Sequence, residues 1–376
     1  MNRILSVAFL SGLLALTSCE GNDILTDSGL DPEKFVSVSD NGQTALYRLK
    51  NKNGMEVCIT NFGGRIVSVM VPDRSGKMQD VVLGFDNIGD YKSHETDFGA
   101  SIGRYANRIA NGRIVIEGEE IQLPRNNFGH CLHGGPQGWQ YKIYEAEQID
   151  GKTLKLTLDS PDGDSGFPGN VKATVTFVLT EDNAIDISYS AETDRTTVIN
   201  MTNHSYFNLS GNPENKITSD ILYLNASAYT PVDDTFMTTG EIVPVKDTPM
   251  DFTSPKPVGQ DIGADFEQLH NGKGYDHNWV LDTDCNIEQV AASVYCPSTG
   301  IRLEVFTDEP GIQVYTGNFL DGTLKGKKGV TYSFRTAVCL ETQHYPDSPN
   351  KSHWPSVELR PGEKYSSRCI YKFSVE

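Results

Sequence analysis

Two stretches of the chain place an ionisable side chain where it could move a proton. In Met201-Thr202-Asn203-His204-Ser205-Tyr206-Phe207-Asn208-Leu209, a histidine is flanked by two asparagines and two aromatics. That composition is a polar group in an aromatic wall, as small-molecule sites are built. In Thr336-Ala337-Val338-Cys339-Leu340-Glu341-Thr342-Gln343, a carboxylate ends an apolar run. Taking it out of water is costly without a partner or a purpose. An ordinary glutamate, with a pKa of about 4.3, is ionised at neutral pH, whereas histidine at about 6.5 can be charged or neutral. Both are candidates for proton transfer. Two opposed groups of this kind are the minimum for general acid–base chemistry, each contributing about 10²–10⁴-fold.

Four further stretches accompany them. His133 lies in Asn126-Asn127-Phe128-Gly129-His130-Cys131-Leu132-His133-Gly134-Gly135-Pro136, beside two glycines that let a ligand approach the backbone. Asn107 and Arg108 end Gly103-Arg104-Tyr105-Ala106-Asn107-Arg108, and Asp276 opens Asp276-His277-Asn278-Trp279. Gln313 and Tyr315 alternate within Gly311-Ile312-Gln313-Val314-Tyr315 and so share a face. Each has a plain structural alternative: an ion-pair arginine, a backbone-satisfied loop histidine, a capping aspartate, a glutamine packed on an aromatic ring. Arg104, His277 and His344 are read as structural, and Trp139 and Trp279 as either core or site wall.

The elements that must position these groups are strands. Short alternating runs recur between turn signals, among them residues 55–59, 66–71, 171–179, 184–191 and 301–307. Residues 113–123 read as a hairpin around Glu117-Gly118. No long amphipathic helix is evident, the nearest helical stretch lying near residues 262–269. The glycines at 99 and 103 form no phosphate loop, and Asp162-Gly163-Asp164 lacks the spacing of a calcium loop. The cadence predicts an all-β fold, a large antiparallel β-sandwich, in one domain over residues 34–376.

The chain of 376 residues has a net charge of −18, which argues against a nucleic-acid partner, since phosphate binding wants a basic face. A positive start (Met1-Asn2-Arg3) precedes an apolar run over residues 4–16, too short to span a bilayer. Leu16-Thr17-Ser18-Cys19 then resembles the cleavage site of a bacterial lipoprotein signal. The expectation is a signal peptide over 1–18, lipidation of Cys19, an acidic tether over 19–33, and export to a membrane face. The lipid would be the only membrane attachment. The six cysteines beyond Cys19 are widely spaced, and mostly free buried thiols are expected.

In order along about 240 residues stand Gly103-Arg104-Tyr105-Ala106-Asn107-Arg108-Ile109, Leu132-His133-Gly134-Gly135, Thr202-Asn203-His204-Ser205-Tyr206-Phe207-Asn208-Leu209, Asp276-His277-Asn278, Gln313-Val314-Tyr315-Thr316-Gly317-Asn318, and Leu340-Glu341-Thr342-Gln343 followed by Pro346-Asp347. Together they resemble the aldose 1-epimerase (galactose mutarotase) family, over essentially residue 35 to the C-terminus. The resemblance implies the family's β-sandwich and interconversion of the α and β anomers of hexoses such as glucose and galactose. It also implies Glu341 as general base and His204 as general acid, with Asn107, Arg108, His133, Asp276 and Gln313 binding substrate. No metal or cofactor is implied, and oligomeric state stays open. Two alternatives remain: a glycoside hydrolase using Asp276 and Glu341 as its carboxylate pair, and a catalytically inactive carbohydrate-binding lipoprotein. A hexose-6-phosphate epimerase would want a basic cluster that the acidic chain does not offer.

Overall fold

A computed structural model describes residues 25–376, so the expected signal, Cys19 and the first part of the tether lie outside the described residues. Among the described residues, regular structure is mostly strand. A nine-stranded antiparallel sheet runs, in spatial order, through Glu145–Gln148, Thr153–Ser160, Val171–Leu179, Ala184–Thr193, Tyr365–Val375, Ile301–Thr307, Ala292–Tyr295, Ile221–Leu224 and Lys256–Pro257. Its long strands alternate buried with half-exposed residues, as at Val171–Leu179 and Ile301–Thr307, so one face packs inward. A four-stranded sheet (Leu46–Lys50, Glu56–Thr60, Arg65–Pro72, Met78–Asp80) and a five-stranded sheet (Val243–Pro244, Ala228–Thr230, Asp276–Val280, Gly311–Tyr315, Cys339–Gln343) complete the layers. One apolar cluster joins all three, from Val57 and Ile59 through Leu156, Val175 and Ile187 to Ile312 and Leu340. This is the single-domain β-sandwich that the strand cadence predicts.

The five-stranded sheet differs from the alternating ones. Gly311–Tyr315 and Cys339–Gln343 are buried at every position, because both faces are covered. Ile312, Val314 and Leu340 face the core. The register sets Asp276 opposite Tyr315, Asn278 opposite Gln313, and Gln313 opposite Glu341. Since opposed residues share a face, the other side of this sheet is a polar surface. It is also enclosed, which is how a carboxylate comes to end an apolar strand.

Helix is confined to short pieces. Glu267–Asn271 overlaps the end of the helical stretch expected near 262–269, and Ile88–Ser93 was not anticipated. The latter is capped by Asn87, whose side chain accepts from the Asp90 N–H at 2.9 Å. None of the helices among the described residues is long and apolar enough to cross a membrane. The six described cysteines are free, all buried except Cys285.

The tether needs correcting at its C-terminal end. Thr26, Ser28 and Leu30 are buried, and Leu30 packs in a core cluster with Phe35 and Cys58. Asp27 pairs with Arg48 at 3.0 Å and Lys50 at 2.6 Å, and its N–H donates to Glu56 at 2.8 Å. The acidic character of this stretch, which suggested solvation, is matched by cations on the adjacent strand. The folded body therefore begins by Thr26.

Candidate active site

The site forms where the polar face of the five-stranded sheet meets two small strand pairs. Ala100–Ile102 pairs with Thr202–His204, setting His204 opposite Ala100, and the Gly99 N–H donates to the His204 carbonyl at 3.0 Å. Asn203 locks the turn: its amide donates to the Gly99 carbonyl at 2.9 Å and its Oδ1 accepts from the Ser205 N–H at 3.1 Å. Arg108–Ile109 pairs with Cys131–Leu132. That pairing brings the 107–108 dipeptide against the His133 loop. Asp347 clamps the same segment, donating its N–H to the Arg108 carbonyl at 2.8 Å and accepting from the Ala110 N–H at 2.9 Å.

These elements enclose a cavity of about 440 Å³, within the range of small-ligand pockets. Glu341, His204, His133, Asp276, Asn107 and Arg108 all line it, so six of the seven sequence-predicted residues are brought together. Gln313, the seventh, lies behind the wall: its Nε2 donates to Asp276 Oδ1 at 2.7 Å. Arg104 points away, its guanidinium donating to Ser160 Oγ and the Pro168 carbonyl at 2.7 Å each. His277 lies on the core face of its strand beside Trp279. His344 pairs with Glu309 at 2.6 Å. Trp139 and Trp279 are both buried and outside the cavity wall, which settles them as core.

His204 Nε2 and Glu341 Oε1 are 3.4 Å apart, and both residues are buried. Burial pushes the Glu341 carboxyl well above the usual carboxylate range, with the charges of Asp276 and Asp97 adding to the rise and Arg108 opposing it. Burial also lowers the pKa of His204, while Asp97 raises it. A neighbouring carboxylate favours a protonated imidazole, but for His204 the effect of burial is the larger of the two. Glu341 Oε2 and His204 Nδ1 are buried without a hydrogen-bond partner in the protein, which suits a polyhydroxylated ligand.

His133 has a fixed role. Its Nδ1 accepts the Asn107 N–H at 3.0 Å, so the ring hydrogen of the neutral form sits on Nε2. Burial drops its pKa to about 3, leaving a neutral hydrogen-bond donor. Asp97, His133 and His204 offer ligand atoms within 4.8 Å of one another, the spacing of a metal site. With His133 Nδ1 already engaged and Nε2 carrying hydrogen, only two are free, one short of a catalytic zinc set.

Asp97 and Tyr315 escaped the sequence reading as wall residues, whereas Tyr206 belongs to the aromatic wall expected around His204. Asp97 precedes the strand that pairs with His204, and nothing short of that pairing marks it. Its Oδ1 is buried without a partner. Tyr206 stacks on His204 with ring centroids 5.0 Å apart, and Tyr315 meets it edge-on at 6.4 Å. The alternation of Gln313 and Tyr315 was the available signal for the latter. Among the described residues, Arg108 is the one Lys or Arg lining the cavity.

Fold and site together define a carbohydrate-sized acid–base pocket on an antiparallel β-sandwich. The chain belongs to the aldose 1-epimerase family: the model for "Aldose 1-epimerase" matches residues 45–372. It is 40% identical to galactose mutarotase of Rattus norvegicus over 337 residues, covering 90% of this chain and 96% of that protein. It is 38% identical to aldose 1-epimerase of Escherichia coli K12, covering 88% and 95%. Among solved structures, the aldose epimerase homologue from C. elegans superposes with a TM-score of 0.82 at 33% identity, covering 88% of this chain and 99% of that one. Galactose 1-epimerase from Lactobacillus acidophilus gives 0.80 at 27%, covering 90% and 97%.

Proposed function

We propose that the protein interconverts the α and β anomers of free hexoses such as glucose and galactose, with Glu341 and His204 as the proton-transfer pair. The observation that carries this is the buried carboxylate–imidazole pair at 3.4 Å on the wall of a sugar-sized cavity. Glu341 takes the proton of the anomeric C1 hydroxyl and His204 gives one to the ring oxygen, so the C1–O5 bond breaks. The aldehyde turns about C1–C2, and the ring closes on the other face with both proton movements reversed. Neither metal nor redox partner enters this scheme. Arg108, Asn107 and Asp276 hold hydroxyls, and the His133 Nε2–H donates to a sugar oxygen.

Burial opposes the charged forms of both groups, and so works toward the carboxylic acid with neutral imidazole. The reactive arrangement, carboxylate and imidazolium, holds the same number of protons and differs by one proton's position. Hydrogen bonds from a bound sugar to the carboxylate, together with the charge of Arg108, favour the carboxylate of the charged arrangement.

The family relationship and the paired site support this reading over a glycoside hydrolase or an inactive sugar-binding protein. Polarimetry on freshly dissolved α-D-glucose and α-D-galactose tests it, beside release of an aryl leaving group from aryl glycosides. Acceleration of mutarotation with no aryl release is expected; the reverse outcome would install the hydrolase. The N-terminal residues support export with a lipid on Cys19. Membrane fractionation of wild type and Cys19→Ser tests this, with release of the variant expected and co-fractionation of both contradicting it.

A further inference from the structure

The mouth of the cavity carries apolar surface that ring opening does not use. Phe128 is 52% exposed and Phe319 44% exposed, and both stand on the cavity wall. Phe236, itself buried, lies between them, with ring centroids 5.1 Å from Phe128 and 5.5 Å from Phe319. The guanidinium carbon of Arg108 is 5.0 Å from the Phe236 ring centroid, so the aromatic row is continuous with a residue that reaches into the pocket.

Phe128 occupies an unusual place. Asn127 and His130 exchange backbone hydrogen bonds of 3.1 and 2.8 Å, closing a two-residue hairpin loop on Phe128 and Gly129. Both central residues have positive φ, +46° and +86°. That is the type I′ pattern, whose first position favours Asn, Asp or Gly. A bulky residue there is a genuine backbone outlier. Here it holds a large apolar ring in water at the rim of a sugar-sized cavity. Local propensity and solvation both oppose that arrangement, and a ligand that covers the ring reconciles them.

We propose that Phe128 and Phe319 form a second sugar subsite, stacking the ring joined by a glycosidic bond to the aldose in the pocket. The protein then prefers the reducing end of a disaccharide or longer glycan to the free hexose. A pyranose suits such a platform: its C–H face lies on an aromatic ring while its hydroxyls stay in water or reach polar neighbours. The inference rests on the mutarotase reading for what occupies the inner pocket.

Polarimetry on anomerically pure lactose, melibiose and α-D-glucose tests it, since all three present the same reducing ring. Wild type should show a KM for at least one disaccharide about threefold or more below that for glucose. Phe128→Asn suits the turn better and so keeps the fold, yet should raise the disaccharide-to-glucose KM ratio about fivefold, whereas Phe128→Tyr should preserve it. Equal KM values in wild type, or an unchanged ratio in Phe128→Asn, would overturn the subsite. Saturation-transfer NMR with methyl β-lactoside, which cannot open, needs no turnover. Signals from both rings are expected, and loss of the outer ring's signal in wild type contradicts the proposal. If glucose itself is not turned over, the mutarotase reading fails while the NMR result still decides the subsite.

Discussion

Glu341 is placed at a cost to stability. Its carboxyl is 1% exposed, one oxygen has no partner, and its pKa is raised well above the ordinary value. A carboxyl whose folded-state pKa lies above its unfolded value favours the folded state less and less as pH rises between the two. Glu341→Gln should therefore unfold at a higher temperature than wild type. The gap should widen from pH 5 upward toward about 1–3 kcal/mol, the cost of an unsatisfied buried polar group, as calorimetry at several pH values would measure. A gap that closes with rising pH would contradict this. Asp97 is the second residue-scale prediction. Its charge raises the proton affinity of both His204 and Glu341. Asp97→Asn should then move both limbs of the kcat/KM pH profile of the pair to lower pH, and Asp97→Glu should leave them near wild type. A rate loss with unmoved limbs would make Asp97 a mere wall residue.

The strand pairings decide which of these residues meet. His204, Glu341, His133 and Arg108 could be picked from the sequence because their types and neighbours are unusual. Their union depends on residues 100–102 finding 202–204, and 108–109 finding 131–132. Such long-range register leaves no local trace, which is why Asp97, one turn before the first of these strands, was missed. Gln313 shows the complementary limit. Alternation placed it on the correct face, but whether it touches a ligand or props Asp276 is a matter of ångströms across a sheet. The turn at Gly99 is where the positioning is most exposed to change. Its φ is +70°, and a Cβ there would stand 1.9 Å from the Ile66 carbonyl oxygen. Gly99→Ala should push the His204 strand pair away from its neighbour. The expected result is a lower melting temperature in calorimetry and a kcat/KM loss of about 10–100-fold, as displacements near 1 Å produce. Wild-type values would show that the strand pair can shift freely.

At the scale of the molecule, the β-sandwich was legible because the alternation of period two is strong in strands such as Val171–Leu179. The boundary of the folded body was not legible: residues 26–30 are polar and turn-like yet close over the four-stranded sheet through Leu30 and the Asp27 ion pairs. Leu30→Ala should cost about 2–5 kcal/mol in denaturant unfolding, as for other buried leucines, where a solvated tether would give no change. The enclosed polar face of one sheet supplies the pocket. The central claim is that this pocket opens aldose rings with Glu341 and His204. It is tested most directly by polarimetry on α-D-glucose with wild type, Glu341→Gln and His204→Ala at equal concentration. Wild type should speed the approach to equilibrium rotation, and each variant should be slower by at least about a hundredfold, as loss of one proton-transfer group dictates. A wild-type rate in either variant would contradict the role given to that residue.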